Sequence, residues 1–119
     1  MPATNLDIIA AASQLPLQAL AADGAISIST TIPKTACYIT KGSAAALTLA
    51  DPATSQDGLE VEIYSETAFA HVVTAGTSGF NGKGASGTAT FGAAKGNGIR
   101  LIARGGKWWV TSNIGVTIA

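Results

Sequence analysis

The sequence predicts an all-β protein: one small antiparallel β-sandwich or barrel, preceded by an extended N-terminal arm. Three observations carry that expectation. From Ala25 onward, short runs of β-branched and aromatic residues are punctuated by Gly, Pro and Asp about every 8–12 residues. Gly105-Gly106 separates the run Ile99–Arg104 from Lys107–Ser112, the signature of a hairpin with a two-residue loop. Residues 1–24, by contrast, are Ala- and Leu-rich, almost uncharged and interrupted by Pro16, which suits an arm better than a helix.

The chain divides accordingly into an arm, residues 1–24, and a β domain, residues 25–119. The arm has room for a short helical turn near residues 6–14, but it cannot form a core of its own. Its apolar side chains must therefore lie on something, either the chain's own sheet or another molecule. Ile26, Ile28 and Ile32 alternate with Ser and Thr, a strand pattern that Pro33 ends. Ala36–Thr40 and Ala45–Leu49 read as two short strands around Lys41-Gly42-Ser43. Asp51-Pro52 and Asp57-Gly58 are turn signals. Leu59–Ile63 has a period of two, with Leu59, Val61 and Ile63 inward and Glu60, Glu62 and Tyr64 outward. Ala70–Thr74, Thr88–Phe91, the hairpin and Ile114–Ile118 complete the set.

The hairpin is the most informative element. A two-residue loop fixes register, so Arg104 faces Lys107, Ala103 faces Trp108, Ile102 faces Trp109 and Leu101 faces Val110. One face then carries Ile99, Leu101, Ala103, Trp108 and Val110, a core face on which small Ala103 leaves room for the indole. The other face pairs Ile102 with Trp109 inside a frame of Arg100, Arg104, Lys107 and Thr111. A large apolar pair in a cationic frame reads as a protein contact rather than a wet surface. Arg100, Ile102, Arg104, Lys107 and Trp109 are therefore the candidate subunit interface. Glu60 or Glu62 of a neighbouring subunit would relieve the opposed Arg104 and Lys107, and Arg stacking on Trp109 would add cation–π attraction.

Composition points the same way. Charged residues make up only 12% of the 119 residues and the formal net charge is zero, whereas ordinary soluble domains are about 25% charged. So weakly charged a surface is protected best when copies of itself or a larger assembly cover it. No basic excess marks nucleic acid as a partner. No apolar run approaches the roughly 18 residues of a membrane helix. Asp7 occupies the stretch where a secretory leader would carry Lys or Arg. A single cysteine, Cys37, allows no internal disulfide, suits synthesis in a reducing cytoplasm and reads as a buried strand residue.

Chemistry-bearing motifs are nearly absent. Residues 76–84 resemble a phosphate loop, but Thr77 stands where the first glycine is needed and Gly84 where Ser or Thr must follow Lys83. The stretch from Gly76 to Gly87 reads instead as a flexible surface loop. His71 is the only histidine and reads as a partly exposed strand residue, because one His and one Cys do not make a zinc site. Glu60 and Glu62 share a strand face as solvated or paired acids. No catalytic residue, metal or cofactor is expected.

Several segments together carry a family resemblance. They are Ile32–Ala50 (IPKTACYITKGSAAALTLA), Asp57-Gly58, Ala70–Thr74 (AHVVT), Ala89–Gly92 (ATFG), and Gly106-Lys107-Trp108 followed by Val110. Their order resembles the small head decoration, head-stabilising and head-fibre proteins of tailed bacteriophages, over roughly residues 30–118. The resemblance implies a β-structured homotrimer on the outer surface of a capsid, clamping subunits of the major capsid protein and catalysing nothing. The arm, through Leu6, Ile8, Ile9, Leu15, Leu17 and Leu20, would then reach the capsid or a neighbouring protomer. The alternative is a receptor- or glycan-binding tip of a phage fibre or tail, using exposed aromatics and the loop at residues 76–87. A monomeric β-sandwich binding module is a third reading, and the mass in solution separates it from the others.

Overall fold

The computed structural model describes residues 17–29 and 32–119. Ten strands follow in order: β1 (Leu17–Leu20), β2 (Gly24–Ala25), β3 (Lys34–Ile39), β4 (Ala46–Leu49), β5 (Glu60–Ser65), β6 (Val72–Ala75), β7 (Thr88–Phe91), β8 (Gly98–Arg104), β9 (Lys107–Ile114) and β10 (Val116–Ile118). They form two five-stranded sheets, ordered β1-β3-β5-β8-β9 and β10-β7-β6-β4-β2. The all-β expectation holds, as a small sandwich.

The sheets are mixed rather than antiparallel. Up to β6 each strand is followed by one in the opposite sheet, so the chain winds through three turns of a flattened coil. Neighbours within each sheet are then next-but-one in sequence and run parallel: β1 with β3, β3 with β5, β2 with β4, and β4 with β6. Parallel pairing needs a crossover, and here the intervening strand of the other sheet supplies it. From β7 onward the chain folds back, and the four remaining pairings are antiparallel.

Period-two alternation fills the space between the layers. Cys37, Ile39, Val61, Ile63, Ile99, Leu101, Ala103 and Trp108 point in from the first sheet. Leu47, Leu49, Val73, Ala89, Phe91 and Val116 answer from the second. Burying each large side chain contributes about 1.5–3 kcal/mol by area. The hairpin register is as expected: Arg104 opposite Lys107, Ala103 opposite Trp108, Ile102 opposite Trp109, Leu101 opposite Val110. Past Leu101 a bulge breaks the ladder, so that Arg100 faces Ser112. Cys37 is fully buried, and burial pushes its thiol pKa up to about 11.

Polar side chains fasten successive turns of the coil at their corners. Asp23 Oδ1 accepts from Lys41 Nζ at 2.7 Å and from Ala46 N–H at 2.9 Å, tying the first corner to the second. Thr67 Oγ1 donates to Lys41 O at 2.8 Å, tying the third corner to the second. Asp51 accepts from Thr77 Oγ1 and Ser78 N–H, and Asp57 accepts from Gly105 N–H at 2.8 Å.

Three expectations need correction. The strand expected through Ile26, Ile28 and Ile32 does not form; the two-residue β2, Gly24–Ala25, ends just before it, Ile26 is buried and Ile28 packs against the core without strand pairing. The last part of the arm, from Leu17, is the first turn of the coil rather than a separate segment. The helical turn expected near residues 6–14 lies outside the described residues.

The third correction concerns the loop at residues 76–87, which is pinned rather than loose. Phe80 is 1% exposed and bridges Trp108. Asn81 N–H donates to Trp108 O at 2.9 Å while Asn81 Oδ1 accepts from Val110 N–H at 2.8 Å. Asn81 has φ +56°, a conformation that Asn tolerates better than most residues. Asn81→Ala is expected to cost about 1–3 kcal/mol, from left-handed strain and a lost acceptor. A urea titration would measure it as a lower midpoint at unchanged slope.

Candidate interaction face

The outward residues of the first sheet form rows across its strands. One row runs Lys34, Glu60, Ile102, Trp109; the next runs Leu17, Ala36, Glu62, Arg100, Ser112; a third runs Ala19, Tyr38, Tyr64, Gly98, Ile114. Three of the four large exposed apolar side chains among the described residues lie here: Leu17 at 57%, Trp109 at 39% and Ile114 at 63%. Phe69, in the third corner, is the fourth. The second sheet's outward face differs entirely, with Thr48, Thr74, Thr88, Thr90 and Thr117 and no charged residue.

Trp109 is held in place. Its Nε1–H donates to Arg104 O at 3.2 Å, and its ring lies over Gly82, where a Cβ would sit 3.3 Å from the indole. Its free edge, with Ile102, Ala103, Arg104 and Gly58, lines a shallow apolar cleft. Arg104 and Lys107 face each other, exposed, and neither has an acidic partner among the described residues. Tyr38 and Tyr64 stack with ring centroids 6.1 Å apart.

The acids behave differently from one another. Glu62 was expected to await a neighbouring subunit, but it is engaged within its own chain. Its Oε2 lies 2.7 Å from Lys34 Nζ and 3.3 Å from Arg100 Nε. The Lys34 hydrogen bond, more than the charge of Arg100, holds its carboxyl below the usual range. Arg100 shares that carboxylate with Lys34, so the three side chains together keep a net positive charge. Glu60, half-buried beside Ile102, keeps a carboxylate with no cationic partner among the described residues. Of the candidate interface residues, Ile102, Arg104, Lys107 and Trp109 thus form one available patch, and Arg100 stands beside it already paired.

The arm residues separate as well. Leu6, Ile8, Ile9 and Leu15 lie outside the described residues. Leu17 is exposed on the outer face of β1, as a contact residue must be. Leu20, three residues from it in β1 and so on the opposite face, points inward and is 6% exposed in the chain's own core, so it offers no surface to a partner.

His71 was expected to be partly exposed and is instead fully buried. Nδ1 accepts from Ala45 N–H at 3.0 Å. Nε2 lies 2.9 Å from Thr67 Oγ1, whose own proton goes to Lys41 O, so Nε2 carries the hydrogen. Both ring nitrogens are engaged, and the ring is flanked edge-on by Phe69 and Phe91. Burial first, and then the Lys41 charge, hold its pKa below the ordinary histidine value. It is a corner fastener in the coil. No cluster of three metal-binding side chains occurs among the described residues.

Comparison with protein-family models and with curated proteins gave no match for this chain.

Proposed function

We propose that this chain is a structural protein of a bacteriophage head. On this reading it binds the outer capsid surface as a homotrimer, bridges major capsid protein subunits and stabilises the shell without catalysis. The observation that carries the proposal is the outer face of the first sheet, where Trp109 stands exposed beside Arg104 and Lys107, which have no acidic partner among the described residues, and Leu17 and Ile114 are exposed elsewhere on the same face. That face also supports the trimer. A threefold contact is head-to-tail, so each protomer presents two different surfaces to its neighbours. The patch of Ile102, Arg104, Lys107 and Trp109 supplies one of those two surfaces, three times around the axis. Three equivalent attachments to the shell then act together, as multivalent contacts do.

Trp109→Ala tests the proposal. Light scattering on a sizing column is expected to give three chains for the natural protein and one for the variant. Co-sedimentation with empty heads should fall about tenfold or more, because three linked contacts are lost together. A natural protein that neither self-associates nor sediments with heads would overturn the reading. The fibre-tip reading draws less support, because the loop at residues 76–87 is fastened to β9 through Phe80 and Asn81 rather than presented to a receptor.

A further inference from the structure

A head-to-tail contact needs a second surface to meet the Trp109 patch, and Arg104 and Lys107 ask for an acid on it. The chain has seven acidic residues. Asp23 pairs with Lys41, and Glu62 with Lys34 and Arg100. Glu66 accepts from the Tyr64 hydroxyl, and Asp51 from Thr77 and Ser78. Asp57 accepts from Gly105 N–H at the hairpin turn, and Glu60 faces Ile102 on the patch's own rim. Those last two reach the cations of another copy only if patch meets patch. A surface that meets itself makes a twofold pair, not a threefold ring. The seventh acid is Asp7.

Asp7 stands in the run Leu6-Asp7-Ile8-Ile9, an acid among three large aliphatic residues. The patch has the complementary make-up. Ile102 and Trp109 line its apolar cleft, and the Arg104–Lys107 pair comes next along the same face of the hairpin. The place where the arm joins the domain also fits. Leu17 pairs in parallel with Ala36, so β1 begins at the end of the sheet that carries Lys34, Glu60, Ile102 and Trp109. β1 and β9 are the two opposite edges of that sheet, four strand spacings or about 19 Å apart.

We propose, starting from the trimer reading and dependent on it, that residues 6–9 of each copy occupy the Trp109 cleft of the next, with Asp7 against Arg104 and Lys107. Within one copy, an arm running from β1 to the cleft would lie across Lys34 and Glu60 and strip water from both charges. Between copies, the β1 edge of one protomer stands beside the β9 edge of the next, and no charge is crossed. The eight links from Ile9 to Leu17 span up to about 26 Å, enough to bridge that gap. Each copy then gives one arm and receives one, as a closed head-to-tail ring requires.

Two variants test it. Asp7→Lys sets like charges at the contact. Light scattering over a concentration series should show the trimer giving way to single chains at a concentration about tenfold higher or more. Asp7→Cys combined with Arg104→Cys places two thiols across the same contact, while buried Cys37 stays silent. Oxidised glutathione should link the chains of this double variant into reducible covalent trimers, and neither single variant should link. A trimer held equally tightly in Asp7→Lys would overturn the proposal and leave the trimer reading standing. So would a bridge confined within single chains, which would assign the arm to its own cleft. A natural protein found only as single chains would overturn both.

Discussion

Replacing Trp108 with alanine is expected to remove about 3–5 kcal/mol of stability, a large share of the roughly 5–15 kcal/mol that holds a domain together. Trp108 is fully buried, is the largest side chain in the core and sits over Ala103. Its Nε1–H donates to Ala50 O at 2.9 Å, so truncation also strips an acceptor of its partner. The void would reach Phe80, which bridges Trp108 and anchors the glycine-rich loop. Thermal unfolding should show a midpoint lower by about 10 °C or more, and a loss below about 1.5 kcal/mol would contradict this account of the core. The contrast with Trp109 is the useful control. Neighbours in sequence on opposite faces of one strand, the first should govern folding and the second association.

The second large effect follows from His71. Its folded-state pKa lies below the unfolded value of 6.5. The unfolded chain therefore binds a proton that the folded chain refuses, over the window from 6.5 down to the lowered folded value. Stability is full above that window and falls as pH drops through it, by at most about 1.4 kcal/mol per pH unit for one proton. Glu62, whose folded pKa is lowered from 4.5, has the opposite titrating form but the same direction of loss, and acts only at more acidic pH. His71→Asn separates the two. Its Oδ1 can accept from Ala45 N–H in place of Nδ1, but it cannot titrate or reach Thr67. At about pH 8 the variant should be less stable by about 1–3 kcal/mol, from lost ring packing and one lost hydrogen bond. Between about pH 8 and pH 5 its denaturation midpoint should be flat while that of the natural protein declines. Parallel decline in both would show that another group carries the dependence.

The residues that could be read from sequence are those whose neighbours are local. Gly105-Gly106 sets a two-residue loop, and two-residue loops leave one register, so Ile102 opposite Trp109 followed at once. The bulge beyond Leu101 did not, because Thr111 and Ser112 carry no glycine or other mark of it. Parallel pairing was hidden for a geometric reason: a link that crosses between sheets has about the same length as one that returns within a sheet. Lys41-Gly42-Ser43 reads equally well as either. Phe80 escaped because a lone aromatic among glycines shows no period. His71 and Leu20 were available from parity alone. His71 is in phase with buried Val73 and Ala75, and Leu20 is out of phase with exposed Leu17 and Ala19.

The coil winding of β1 to β6 also sets the tempo at which this protein acquires its shape. Ala36 must find Glu62, and Leu47 must find Val73, each about two dozen residues away, before β3 pairs with β5 and β4 with β6. The β8–β9 hairpin closes through two residues and can form within about 1–10 μs, far ahead of the coil. It offers β5 an edge through Val61 opposite Leu101 and Ile63 opposite Ile99. Assembly is then expected to proceed backward through the chain, from β5 to β3 to β1. Weakening the hairpin should slow refolding, whereas weakening β1, added last, should leave refolding nearly untouched and hasten unfolding. A protein emerging from the ribosome N-terminus first would thus hold its first turns open until its last hairpin arrives.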